Sequence, residues 1–288
     1  MDVRFWGVRG SCPTPGPATV RHGGNTPCVA VRTDGGHLVI LDAGTGIREL
    51  GRALLAAHGD APLSGDVFFT HAHWDHIQGL PFFTPAFRPG NHFTLWGAPS
   101  LGPSLAVMLR QQMSPEVFPV AFDDLPARMD VRTLSRWHHA GADYELHAAP
   151  VRHPGGALGF RLHPRGAPGR SLVFIPDNEL AGDGAGDDGA GGRAALVAFA
   201  RGAQLLVHDA MYTGAEYVQH RGWGHSSYRD AVEFALEAGV RTLVLFHHAP
   251  ERDDDALDAM LALSRTMVRE RGGALEVLAA AEGLSLAL

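Results

Sequence analysis

Residues 70–79 read THAHWDHIQG and place His71, His73, Asp75 and His76 within six positions, following the apolar run VFFT. Imidazoles and carboxylates are the groups that hold zinc-class ions, whereas a lone histidine is ordinarily a hydrogen-bonded surface or core residue. Four such groups at this spacing point to metal chemistry. Side chains at i and i+2 of an extended segment face the same way, so His71 and His73 can grip one ion together. The chain then turns, and Asp75 and His76, at the start of a helical stretch, are aimed past that ion at a second.

The pairing of an apolar run with a reactive side chain at its end recurs along the chain. AAPVR leads to His153, SLVFIP to Asp177, LLV to His208 and Asp209, and TLVLF to His247 and His248. In layered α/β folds ligands collect at the carboxyl ends of strands, so these groups are expected to converge. A catalytic zinc takes three protein ligands and keeps one position for water. His153 completes one set with His71 and His73, His247 completes another with Asp75 and His76, and Asp177 is the natural bridge. The residues alone leave open whether His247 or His248 is the ligand. The donors are nitrogen and oxygen without thiolate, which suits two zinc ions and also manganese or iron. Asp42, at the end of LVILDAG, is expected behind the ligands, orienting a histidine or its loop.

Two divalent ions about 3.5–4 Å apart acidify a shared water and neutralise an anionic substrate oxygen. That favours phosphodiesters, with esters, lactones and thioesters within reach. An alkoxide leaving phosphorus needs a proton, and His225 in GWGHSS, oriented by Asp209 in HDAMY, is the candidate acid. Asp75 is counted with them at the reacting centre. Phe82, Phe83, Tyr212, Arg221 and Trp223 are candidates to stack a base or contact phosphate.

These side chains need a scaffold. Strand-length apolar runs recur as CVAVRT, LVILDAG, DVFFTHAH, HFTLWG, YELHAAPVRH, LGFRLH, SLVFIPDN, QLLVHDA, TLVLFHH and LEVLAA. Helical spacing appears near 46–58, 76–86, 101–112, 193–202, 226–238 and 253–271. Strands mixed with helices in this way predict an αββα sandwich, two mixed β-sheets flanked by helices, in one domain over 1–288. With 288 residues, 45% of them hydrophobic, the chain can bury a sizeable core. The start MDVRFWGVRG lacks the pattern of a secretory signal and no apolar stretch is long enough for a membrane span, so a cytoplasmic protein is expected. Cys12 and Cys28 are too few for a disulfide framework or a four-cysteine zinc site. All 24 basic residues are Arg and the net charge is −7, which argues against a protein that wraps a polyanion. AGDGAGDDGAGGR, 181–193, reads as an acidic surface loop.

THAHWDHIQG, a later His after a strand, IPDNE and a final strand ending LFHH together resemble the metallo-β-lactamase superfamily over about residues 40–250. Within it, HDAMY, GHSS before an Ala-rich helix, and LFHHAP are similar to tRNase Z and the related small cyclic phosphodiesterases. The resemblance implies metal binding by His71, His73, Asp75, His76, His153, Asp177 and His247, proton donation by His225, and a homodimer. Asp209 stands where tRNase Z has Glu in a HEAT stretch. The chain lacks the basic Gly/Pro-containing arm that tRNase Z uses to hold tRNA, the three-Cys accessory site of the phosphonate-pathway enzyme, and a Cys at a metal position. The resulting expectation is a dinuclear zinc phosphodiesterase acting on a small nucleotide-like or cyclic diester, with tRNA not its substrate. The rivals are a tRNA 3′ endonuclease, a thioester, lactone or β-lactam hydrolase, an iron redox protein on the same fold, and a metal-binding module without catalysis.

Overall fold

The computed structural model describes residues 1–98, 105–180 and 192–288. Its first sheet comprises β1 (Asp2–Gly7), β2 (Cys28–Arg32), β3 (Leu38–Leu41), β4 (Ser64–Phe68), β5 (His92–Gly97) and β6 (Arg128–Thr133). Its second comprises β7 (His138–Ala140), β8 (Tyr144–Val151), β9 (Ala157–Pro164), β10 (Leu172–Ile175), β11 (Leu205–Asp209), β12 (Thr242–Phe246) and β13 (Glu276–Ala279). A last strand, β14 (Ser285–Ala287), returns to pair with β1. The spatial orders are β14-β1-β2-β3-β4-β5-β6 and β13-β12-β11-β10-β9-β8-β7. Each sheet is antiparallel up to its middle strand, β3 or β10, and parallel beyond it.

Strands β3, β10 and β11 are buried on both faces, as the parallel part of a covered sheet requires, and β3 and β10 are accordingly unbroken apolar runs, while β11 is apolar until it ends in His208 and Asp209. Between the sheets, Phe5, Val31, Leu41 and Phe68 meet Leu146, Phe160, Phe174 and Phe246. The helices are α1 (Gly46–His58), α2 (Trp74–Ile77), α3 (Leu105–Gln112), α4 (Arg193–Ala200), α5 (Gly214–Gln219), α6 (Tyr228–Ala238) and α7 (Asp254–Glu270). In α1, Ile47, Leu50 and Leu54 recur at helical spacing and pack with Ile40 and Val67 on the outer face of the first sheet. Leu196 of α4, Val232 and Ala235 of α6 and Met260 of α7 cover the second. The result is the expected αββα sandwich.

Each run read as a strand overlaps one. The helix expected over 76–86 is only the single turn α2, followed by 3-10 turns at 80–82 and 84–87. Pro81 and Pro85 sit at the starts of those turns, where proline is tolerated, and would break a continuous helix. Residues 105–112 of the helix expected at 101–112 are helical, whereas 101–104 lie outside the described residues, as do 181–191 of the acidic segment. Strands β1, β6, β7 and β14 were not apparent in the sequence because they are half-exposed or very short. Among the described residues no helix is long and apolar enough to cross a membrane.

Candidate metal centre

The centre lies where the middle strands of both sheets end on the same edge of the sandwich. Beyond β3 the chain turns through Asp42 at φ +61°, a left-handed conformation that costs a non-glycine residue roughly 1–2 kcal/mol. The turn places the Asp42 carboxylate under the loop that follows β4. One of its oxygens accepts from the Thr70 backbone N–H at 2.8 Å, and the other from Thr70 Oγ1 at 2.9 Å and His76 Nδ1 at 2.8 Å. With the Thr70 proton committed to Asp42, His71 Nδ1 donates to Thr70 Oγ1 at 3.1 Å. Both imidazoles therefore hold their proton on Nδ1 and aim a bare Nε2 inward. His153 is fixed in the same way, its Nδ1 donating to the Gly224 carbonyl at 2.9 Å.

The bare nitrogens face carboxylate oxygens. His76 Nε2 is 3.1 Å from Asp177 Oδ1 and 3.3 Å from Asp75 Oδ2, and His247 Nε2 is 3.3 Å and 3.1 Å from the same two atoms. On the other side, His71 Nε2 and His153 Nε2 lie 3.8 Å and 3.7 Å from Asp177 Oδ2, and His153 Nε2 is 2.9 Å from His73 Nδ1. His71 Nε2, His76 Nε2 and Asp177 Oδ1 are buried without a hydrogen-bond partner. Buried polar atoms left unpaired are costly, and acceptors this close to one another repel unless a cation lies between them. His71, His73 and His153 form one ligand-like group, and Asp75, His76 and His247 another. The donor set fits divalent cations.

Beside this cluster, His225 Nδ1 donates to Asp209 Oδ2 at 2.7 Å, and Asp209 is itself held by the backbone N–H groups of Met211 and Asn178 at 3.0 and 3.2 Å. Burial opposes a charge on His225, but Asp209 outweighs it and raises the pKa to about 9. The His225 ring lies 5.0 Å from that of His247 and 5.2 Å from that of His153. Sequence reasoning passed over Glu179, although it stands in the quoted IPDNE. Its carboxylate accepts from Tyr217 OH at 2.8 Å and from the backbone N–H groups of Gly222 and Gly224 at 2.9 and 3.0 Å. Glu179 thus pins the loop that supports His153 and leads into His225. Also missed were Ser11, whose N–H donates to Asp75 Oδ2 at 2.8 Å, and Gly10, where an added Cβ would stand 2.4 Å from His247 Nδ1. Backbone contacts of this kind leave no composition signal.

The beta-lactamase superfamily domain matches the chain over residues 37–248. The chain belongs to that superfamily. A protein named ribonuclease Z from Gemmatimonas aurantiaca is 27% identical to this superfamily member, over 96% of the chain and 95% of the relative. Among solved structures, the short form of human tRNase Z superposes with a TM-score of 0.65 at 19% identity, covering 100% of this chain and 99% of that one. A diphosphatase from the PhnP family gives 0.69 at 18% identity, covering 100% and 97%. The expectation that sets tRNA aside is not supported by these comparisons, since the first relative, matched end to end, carries a ribonuclease name.

Not every predicted residue of this β-lactamase-superfamily chain reaches the centre. His208 turns away, its Nδ1 bonded to the Asp209 carbonyl at 2.7 Å and its ring against Phe234. His248 bonds the Ala280 carbonyl at 2.9 Å, and burial takes its pKa to about 3. His247, at φ +59°, is the one of the pair that turns inward. Phe83 corrects an expectation: it is fully buried against Phe93 beneath α1 and offers no face to a substrate, because Pro85 turns the chain back onto the sheet. Tyr212 and Trp223 line a cavity of about 570 Å³ beside His225, together with Glu216, Glu251, Arg252 and Asp253. Arg221 lines a neighbouring cleft with His153, and Phe82 an apolar one with Trp74.

Proposed function

We propose that the chain is a metal-dependent phosphodiesterase acting on a small nucleotide-like or cyclic diester. The observation that carries this reading is the facing of bare imidazole nitrogens and carboxylate oxygens at 3.1–3.8 Å around Asp177, with the His225–Asp209 pair alongside. Two divalent ions, zinc first, would be held by His71, His73 and His153 and by Asp75, His76 and His247, with Asp177 shared. Bound there, they supply Lewis acidity, lowering the pKa of water and offsetting phosphate charge. His225 protonates the departing oxygen, and Asp209 keeps that imidazole charged and its Nε2 directed at the substrate. Tyr212 and Trp223 offer faces to the nucleoside portion. Glu216, Glu251 and Asp253 outnumber Arg252 in the cavity wall, which disfavours a long polyanion there.

A second reading, cleavage of precursor tRNA, is favoured by the end-to-end likeness to ribonuclease Z. Zinc-loaded protein assayed on bis(p-nitrophenyl) phosphate, cyclic mononucleotides, cyclic dinucleotides and precursor tRNA separates the two. Turnover of a small diester is expected, abolished by His73→Ala. His225→Ala is expected to slow release of an alkoxide by roughly 10²–10⁴-fold and to slow release of p-nitrophenolate far less, since that anion leaves without a proton. Cleavage of precursor tRNA alone, with a steep salt dependence, establishes the second reading. Full hydrolysis of a thioester by His225→Ala, with no diester turnover in the parent, overturns both.

A further inference from the structure

The edge of the second sheet carries another gathering of imidazoles, on β7, β8 and β9. His138 on β7 is the register partner of His147 on β8, and Glu145 on β8 is the partner of His163 on β9. Residues two apart on a strand share a face, so Glu145 and His147 point together and their partners across both ladders join them. Tyr144, Leu146 and Ala148 fill the core between the sheets, which puts this quartet on the opposite, outer face.

The rings of His138 and His147 are 4.7 Å apart, and those of His147 and His163 are stacked at 5.7 Å. One Glu145 oxygen lies 3.8 Å from His147 Nε2 and 4.0 Å from His163 Nε2. His138, Glu145 and His147 each bring a ligand atom within 4.8 Å of the others. His163 is 7% exposed, and its Nδ1 donates to the Pro164 carbonyl at 2.9 Å, so its Nε2 is bare and turned toward the carboxylate. Arg161, the register partner of His147, does not supply the missing charge, because its guanidinium is turned to the carbonyls of Phe199 and Arg201 at 2.7 and 3.1 Å. The arrangement repeats the logic of the main centre, with imidazole nitrogens and a carboxylate gathered on one face.

We propose that His138, Glu145, His147 and His163 form a separate site for a zinc-class divalent cation that ties β7 and β8 to β9. Three imidazole nitrogens and one carboxylate oxygen are donors that zinc accepts, and four of them fill a tetrahedral site. Its consequence is mechanical. Strand β7 is three residues long and ends its sheet, and a bound ion would fasten that edge without touching the chemistry at the other centre.

The site is tested on the full chain, equilibrated in zinc at fixed free concentration and analysed for metal by mass spectrometry. The double variant His138→Ala/His147→Ala is expected to hold about one zinc per chain less than the parent, and Asp177→Asn, in the main centre, to keep that zinc. Cobalt gives a second measurement that does not depend on removing two side chains: in the Asp177→Asn background a tetrahedral visible band is expected, and Glu145→Gln is expected to weaken or shift it. Equal zinc contents in the parent and the double variant, or a cobalt band unchanged by Glu145→Gln, overturn the proposal.

Discussion

Asp42 governs more of the candidate centre than any ligand does. Its two oxygens take the Thr70 amide, the Thr70 hydroxyl and His76 Nδ1, and through Thr70 they set the tautomer of His71 as well. Asp42→Ala removes all of this at a fully buried position. It is expected to weaken ion affinity about 10–100-fold, read by competition against a chromophoric chelator, and to cost about 1–3 kcal/mol through the stranded Thr70 amide and hydroxyl. Affinity equal to the parent's would show that the imidazoles orient themselves. Gly10 acts by what it lacks. Any side chain there meets His247, so Gly10→Ala is expected to lower ion content in the His247 half of the centre while leaving Asp42 and its partners undisturbed.

At the scale of elements, the loop between α5 and α6 has little regular structure of its own and is held by Glu179, which receives two of its amides and the Tyr217 hydroxyl. That loop presents the Gly224 carbonyl to His153 and carries His225 into place. Glu179→Ala is expected to accelerate hydrogen exchange at Gly222 and Gly224 and to lower kcat more than KM, because the proposed acid His225 and the candidate ligand His153 lose their positions together. Glu179→Gln keeps one acceptor oxygen and should fall between. Unchanged exchange in Glu179→Ala would mean that the loop is held by its other contacts.

At the scale of the molecule, the two sheets hold the halves of the centre in register. Phe160 of β9 is 1% exposed and meets Phe68 of β4 at 6.0 Å across the interface. Phe160→Ala is expected to cost about 3–5 kcal/mol, measured by denaturant unfolding with the ions present at fixed concentration. A polar tie spans the same layer. Asp66 of β4 accepts from Tyr144 OH of β8 at 2.7 Å, His37 Nε2 at 2.7 Å and Trp96 Nε1 at 2.8 Å. Burial opposes its charge, but these bonds together hold its pKa below the ordinary 3.8. A carboxylate depressed on folding contributes stability that is present above its unfolded pKa and is lost as pH falls through the folded value. The stability advantage of the parent over Asp66→Asn should therefore be constant above pH 3.8 and shrink below it. An advantage that persists undiminished through acid would assign the effect to packing.

Much of this was legible in the residues themselves. The apolar runs marked most of the strands, and His71, His73, Asp75 and His76 pointed to a candidate metal centre because local spacing alone gathers them at one strand-to-turn junction. Asp177, His153 and the His225–Asp209 pair could be named as candidates because each follows a strand end or belongs to a short motif. Which imidazole of His247 and His248 turns inward was not decided locally, since it depends on a left-handed backbone turn and on Gly10 from the other end of the chain. Phe83 and His208 were misplaced for the same reason: adjacent residues share a sequence neighbourhood but face opposite layers. Chemical type and local spacing are properties of the chain, and they determined which residues are candidates for a metal centre. Direction and proximity between distant strands arise only when two sheets pack, and that packing decided which side chains meet.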